Sequence, residues 1–241
     1  MDLGIEGKTA IVTAASRGLG LATARALAAE GVRLVLSARG EDDLHTAASD
    51  LHRAGAEVIA VVADMGDPEA PARLVDAAVE HFGGLDIVVA NAGGPSAGRA
   101  LEVSEEQLRS ALDVNLLSSI RLVDAAAPLL RTGHWGRICC ITSYSVVQPI
   151  PTLALSNTAR AALWAWVKTA AQDLATGGSG ITLNLACPGP HATDRMRQLG
   201  GTGPMGDPAD LGSIVAFLCS EQANFVNGAA LVVDGASTLA L

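Results

Sequence analysis

The feature that most limits the folds open to this chain is a regular alternation of short aliphatic runs with helical patterns. Runs rich in Val, Ile and Leu recur at 9–13, 33–37, 58–63, 86–90, 137–142, 181–187 and 229–233, each short enough for a buried strand. Between them apolar residues fall at helical spacing; Leu19, Ala22, Thr23, Ala26 and Leu27 form one such face, closed by Gly31. Alternation of this kind forces right-handed crossovers, which lay the strands parallel in one sheet with helices on both faces. The expected fold class is α/β, a single doubly wound sheet of about seven strands. Composition agrees, because hydrophobic residues reach 49% while aromatics stay at 3%, as suits aliphatic strands under Ala-rich helices.

No linker, repeat or low-complexity segment interrupts the series, so residues 1–241 read as one domain. Ser104 and Gln107 have the spacing of a capping box, and Asp67-Pro68 and Asp207-Pro208 each read as an N-cap followed by a first-turn proline. The stretch 189–207 is long and rich in Gly and Pro, which marks it as a lid over a substrate site. A net charge of −9 without any Lys/Arg run argues against nucleic acid as a partner. The apolar run 9–13 is too short for a signal peptide or a membrane span, so a cytoplasmic location without membrane contact is expected. Cys139, Cys140, Cys187 and Cys219 sit inside apolar patterns and lack paired spacing; they read as small core residues, and no metal is expected.

The first run leads into Thr13-Ala14-Ala15-Ser16-Arg17-Gly18-Leu19-Gly20, and a helical pattern begins at once. A glycine-bearing turn at that place lets backbone N–H groups and the positive end of a helix approach a diphosphate. Two glycines also suit an ordinary strand-to-helix turn; their position in the first βα unit favours the nucleotide.

This segment resembles the TGxxxGxG turn of the short-chain dehydrogenase/reductase family, with Ala14 in place of the first glycine. Further motifs follow in that family's order: Asp64 and Met65 after the third strand, Asn91-Ala92-Gly93 after the fourth, and Pro188-Gly189 with Thr193 after the sixth. Val226-Asn227-Gly228 and Val233-Asp234-Gly235 resemble its C-terminal strand signature. The resemblance implies a Rossmann-type domain binding NAD(P)(H), with the carboxylate after the third strand against the adenine and Thr193 near the nicotinamide amide. An NAD-preferring site commonly carries an acidic residue after the second strand, whereas this chain has Ser37-Ala38-Arg39. Arg39 and Arg17 suit a 2′-phosphate, so NADP(H) is expected over NAD(H).

The family's reduction uses a Tyr as acid, a Lys four residues later, a Ser on the fifth strand and an Asn in the fourth helix. Ser143 and Asn115 match two of these, but Ser156 stands where the Tyr is expected and Arg160 where the Lys is expected. Spacing of i, i+4 keeps both on one helix face. A serine hydroxyl is a weaker acid than a phenol, and a guanidinium stays protonated. Tyr144, the single tyrosine, and His191 are therefore alternative proton donors, against the blander readings of a buried strand residue and a solvated loop residue. The leading expectation is an atypical reductase similar to 3-oxoacyl-acyl-carrier-protein reductases, acting on a carbonyl or C=N group of a small molecule. The competing expectations are a non-catalytic NADP(H)-binding sensor or partner subunit, and a lyase or dehydratase on the same scaffold. The helix carrying Ser156 and the one carrying Asn115 usually pair between subunits in this family, which implies a homodimer or homotetramer. Trp164 and Trp166, two apart on that helix, divide between core and contact.

Overall fold

The structure, a computed structural model, describes residues 1–239. Seven strands form one parallel sheet in the order β3-β2-β1-β4-β5-β6-β7. They are β1 Thr9–Thr13, β2 Arg33–Ala38, β3 Val58–Val62, β4 Ile87–Ala90, β5 Gly136–Ile141, β6 Ile181–Pro188 and β7 Ala230–Val233, each within a residue or so of its aliphatic run. The helices are α1 Gly18–Ala29, α2 Glu41–Arg53, α3 Ala70–Phe82, α4 Glu105–Leu112, α5 Ser118–Gly133, α6 Ala154–Ala175, α7 Asp194–Gln198 and α8 Pro208–Leu218.

Successive strand side chains point to opposite faces, so each strand serves two cores. Ala10, Val12, Leu34, Leu36, Ile87 and Val89 pack on one face with Ala24 and Leu27 of α1, Leu44 of α2 and Val215 of α8. Ile11, Val35, Val88, Ile138 and Leu185 pack on the other with Leu74 of α3, Leu122 of α5 and Leu163 of α6. All four cysteines are free and buried in these cores, and desolvation pushes the Cys140 and Cys219 thiols up to about 12. Trp164 and Trp166 both pack against the second core.

Local chemistry sets the helix ends. Ser104 Oγ accepts from Gln107 N at 3.2 Å while Gln107 Oε1 accepts from Ser104 N at 2.8 Å, closing the capping box of α4. Asp207 caps α8 through Ala209 N at 2.9 Å, with Pro208 as its first residue. Asp67-Pro68 departs from expectation. Asp67 accepts from Glu69 N at 3.0 Å and Arg73 Nη2 at 2.8 Å, but α3 starts only at Ala70, with Pro71 in its first turn. Two prolines compete for one helix start, and Pro68 is taken up in the turn 67–70, closed by Ala70 N→Asp67 O at 3.1 Å. Between α4 and α5 the backbone widens into a π-helical segment, Asp113–Leu117. Among the described residues no helix is long and apolar enough to cross a membrane.

Strand order reverses at β1, whose neighbours are β2 and β4. A doubly wound sheet opens a crevice at that point, beyond the C-terminal ends of its strands. The turns after β1, β4, β5 and β6 all converge there.

Candidate active site

After β1 the backbone turns sharply: Ala14 has φ 47 and Gly18 φ 59. The left-handed region crowds an alanine Cβ against its own carbonyl and costs about 1–2 kcal/mol. At position 20 a Cβ would stand 2.3 Å from the Ala14 carbonyl oxygen and 2.8 Å from Asn91 Nδ2, so only glycine closes this turn. Thr13 Oγ1 donates to Asn91 O at 2.7 Å and accepts from Asn91 N at 2.9 Å, binding the turn to the end of β4. Among the described residues no side chain caps α1 behind its N-cap residue Arg17, so its first N–H groups are left for an anion.

The adjoining positions fit a dinucleotide. Ser37, near the end of β2, is buried and its Oγ has no hydrogen-bond partner among the described residues. Arg17 and Arg39 are exposed beside the turn. Arg39 Nη1 lies 4.0 Å from Asp64 Oδ2, a loose exposed pair that leaves the guanidinium free to turn toward a phosphate. Met65 packs beside the second core, Ala92 and Gly93 continue the loop after β4, and Ser16 lines the turn after β1. On the opposite wall Gly189 follows Pro188, and a Cβ there would stand 2.4 Å from Asp234 Cβ. Thr193 faces the glycine turn, its Cγ2 3.7 Å from where a Gly18 Cβ would lie.

Arg160 is the hub of the catalytic side. It is 7% exposed, and it donates from Nη1 to Ile141 O at 3.0 Å and from Nη2 to Ala92 O at 3.4 Å and Asn115 Oδ1 at 3.3 Å. One side chain thus joins the loop after β4, the end of β5, the π segment and α6. Asn115 is buried and donates to Ala111 O at 3.3 Å. Burial first, and the nearby Arg195 charge as well, pull the Arg160 guanidinium down to about 10. Ser156 stands one turn earlier on α6, also 7% exposed, and its hydroxyl makes no hydrogen bond among the described residues. Ser143 Oγ accepts from Ser145 N at 3.1 Å, starting a single 3₁₀ turn, Tyr144–Val146.

The alternative donors are placed differently than strand and loop reasoning suggests. Tyr144 lies in that 3₁₀ turn and is half-buried, because β5 has already ended at Ile141. His191 is buried; its Nδ1 lies 3.0 Å from Gly189 O and its ring packs on Gly206, 3.1 Å from the Cβ position there. Ala192 N→Gly206 O and Gly206 N→Pro190 O, both 2.9 Å, close the base of the 189–207 segment around it. His191 is therefore a buried pin in the base of this segment, not a solvated loop residue.

The 189–207 segment is not structureless. Thr193 Oγ1 caps α7 through Met196 N at 3.3 Å. From α7, Arg195 Nη2 donates to Pro95 O, and its Nε lies 3.1 Å from the Gly94 Cβ position, so its side chain spans the cleft. Arg195 escaped the sequence reading, since nothing in Asp194-Arg195-Met196-Arg197 separates it from Arg197, which pairs locally with Asp194.

Fold and site together define an NAD(P)-binding oxidoreductase of the doubly wound type. A family model described as Enoyl-(Acyl carrier protein) reductase matches residues 13–238. Bovine dehydrogenase/reductase SDR family member 4 is 32% identical, over 97% of this chain and 88% of its own length. The L-sorbose reductase of Gluconobacter frateurii, solved with NADPH and L-sorbose, superposes with TM-score 0.93 at 31% identity over 100% of both chains. A 7α-hydroxysteroid dehydrogenase solved with NADH and 7-oxo glycochenodeoxycholic acid superposes with TM-score 0.91 at 27% identity, over 98% of this chain and 96% of that one. The chain belongs to the short-chain dehydrogenase/reductase family.

Proposed function

We propose that the chain reduces a carbonyl or C=N group of a small molecule with NADPH in preference to NADH, as an atypical relative of 3-oxoacyl-acyl-carrier-protein reductases. NADPH, when bound, supplies the hydride. The first N–H groups of α1 and the Gly18–Gly20 turn hold the diphosphate, while Arg17 and Arg39 hold the 2′-phosphate. Asp64 and Met65 flank the adenine; Asn91, Ala92, Gly93, Pro188, Gly189 and Thr193 line the nicotinamide side. The segment 189–207 acts as the lid. We place the protein in the cytoplasm as a homodimer or homotetramer.

Ser143 orients the substrate oxygen and Ser156 donates a hydrogen bond to it. Arg160 supplies a fixed positive charge for the developing alkoxide, so electrostatic stabilisation takes over part of what a phenol does in the family. The observation that carries this reading is the buried guanidinium held by Asn115 Oδ1, Ile141 O and Ala92 O where the family's ammonium is expected. A charge held in a water-poor site stabilises a developing anion far more than one in solvent. The lack of a phenol on α6 favours one other reading, a subunit that binds NADP(H) without turnover. NADPH oxidation with a panel of activated ketones, imines and enones separates the two. Turnover that drops roughly 10²- to 10³-fold in Arg160→Met supports the reductase. Tight NADPH binding with no turnover of any member of the panel refutes it.

A further inference from the structure

Two positive charges stand at the β4–β5 end of the cleft, and among the described residues no carboxylate pairs with either. Arg160 bonds only to neutral acceptors, and its Nε makes no hydrogen bond among the described residues. The other deeply buried arginine, Arg137, is different. Its Nε and both Nη atoms are engaged by Ser220 O, Gly136 O, Gly180 O and Asn224 Oδ1, and its guanidinium stacks 4.4 Å from the Trp135 ring centre. Among the described residues Arg195 has a single acceptor, Pro95 O, and no ion pair, although Arg53, Arg73, Arg109, Arg121 and Arg197 each hold a carboxylate within 4.0 Å. Arg195 is also near enough for its charge to oppose that of Arg160. Two like charges close together, one of them buried, are costly unless an anion joins them.

The diphosphate is not that anion. Its place is the uncapped start of α1, which Thr193 faces, whereas Arg195 turns the other way, onto Gly94 and Pro95 beyond the Asn91–Gly93 loop. Reduction of an oxo acid presents two negative charges side by side, a standing carboxylate and the developing alkoxide, and the cleft offers two cations. Resting on the reductase reading above, we propose that Arg195 is the receptor for a substrate carboxylate, making the protein selective for oxo acids over their neutral esters. Arg160 then answers the alkoxide, and Pro95 O holds Arg195 ready until the carboxylate replaces it.

Calorimetric titration of the NADP⁺-loaded protein with benzoylformate and with methyl benzoylformate tests this, because the two share a ketone and differ in charge. The acid is expected to bind roughly tenfold or more tightly than the ester. Arg195→Gln should bring the ratio to about one, and Arg195→Lys should keep part of it, since an ammonium retains the charge without the fork. NADPH affinity should be unchanged in both variants, and thermal melting checks that both fold. Equal binding of acid and ester, binding of neither, or loss of NADPH affinity in step with the acid overturns the assignment; the last would give Arg195 to the dinucleotide. Turnover is read separately. A bound acid that is never reduced, with no turnover of any ketone, imine or enone of the panel, ends the reductase reading and leaves the carboxylate receptor standing, whereas equal kcat/KM for acid and ester does the reverse.

Discussion

Ala14 stores backbone strain at the point where the nucleotide is expected to approach. Replacing it with glycine relieves about 1–2 kcal/mol, and the wider unfolded ensemble takes back about 0.4–1 kcal/mol. Ala14→Gly should therefore raise Tm by about 2–4 °C, and a melting curve shifted downward would contradict the strain. Arg160 makes a prediction through its charge. An ordinary guanidinium stays protonated, but burial draws this one down to about 10, and deprotonation above that value removes the cation. The expected kcat/KM profile for an activated ketone falls as pH rises through about 10, and that limb vanishes in Arg160→Met. Arg39→Ala should weaken NADPH roughly tenfold and leave NADH unchanged, read by fluorescence titration. At this scale the sequence is legible where a motif fixes position: Ser156 and Arg160 share one helix, α6, whereas Ser143 falls two residues past the end of β5 and Asn115 in the π segment and not in a regular helix. The partners of Arg160 were not, because backbone carbonyls leave no trace in residue identity. Arg195 was hidden for a related reason, since its role comes from the distance α7 spans and not from its neighbours in the chain.

The π segment is the element on which the catalytic side turns. Its widened ladder sends Ser118 N to Asp113 O, five residues back, and Ser118 Oγ takes up the Val114 carbonyl at 2.6 Å. Asn115 owes its buried place to that bulge, and α4 delivers the chain into it. Loss of the α4 capping box in Ser104→Ala should cost about 0.5–2 kcal/mol of stability. It should also lower kcat more than it raises KM, because the frayed helix loosens Asn115 and, through it, Arg160; unchanged kcat in a destabilised protein would separate the two. Strands were legible because each is built on a short run rich in Val, Ile and Leu. The π segment and α7 were not: a bulge is set by packing between α4, α5 and α6, and five helical residues between glycines carry no period to read.

For the whole molecule, two aliphatic cores on opposite faces of one sheet follow from period-two alternation, and the reversal of strand order beside β1 opens the crevice between them. Apolar side chains nevertheless remain outside. Phe225 is fully exposed, and Leu117, at the junction of the π segment and α5, is more than a third exposed. Light scattering at micromolar concentration is expected to report a dimer or tetramer, and Leu117→Glu to shift it toward monomer. Thr13 bears on how this assembly breathes. Its hydroxyl both donates to and accepts from Asn91, one residue past the end of β4, where the sheet's own ladder has stopped. The Asn91 amide should accordingly exchange with deuterated solvent only through global opening, as slowly as the central strands, whereas Thr13→Val should release that single amide to local fraying while β4 itself stays protected.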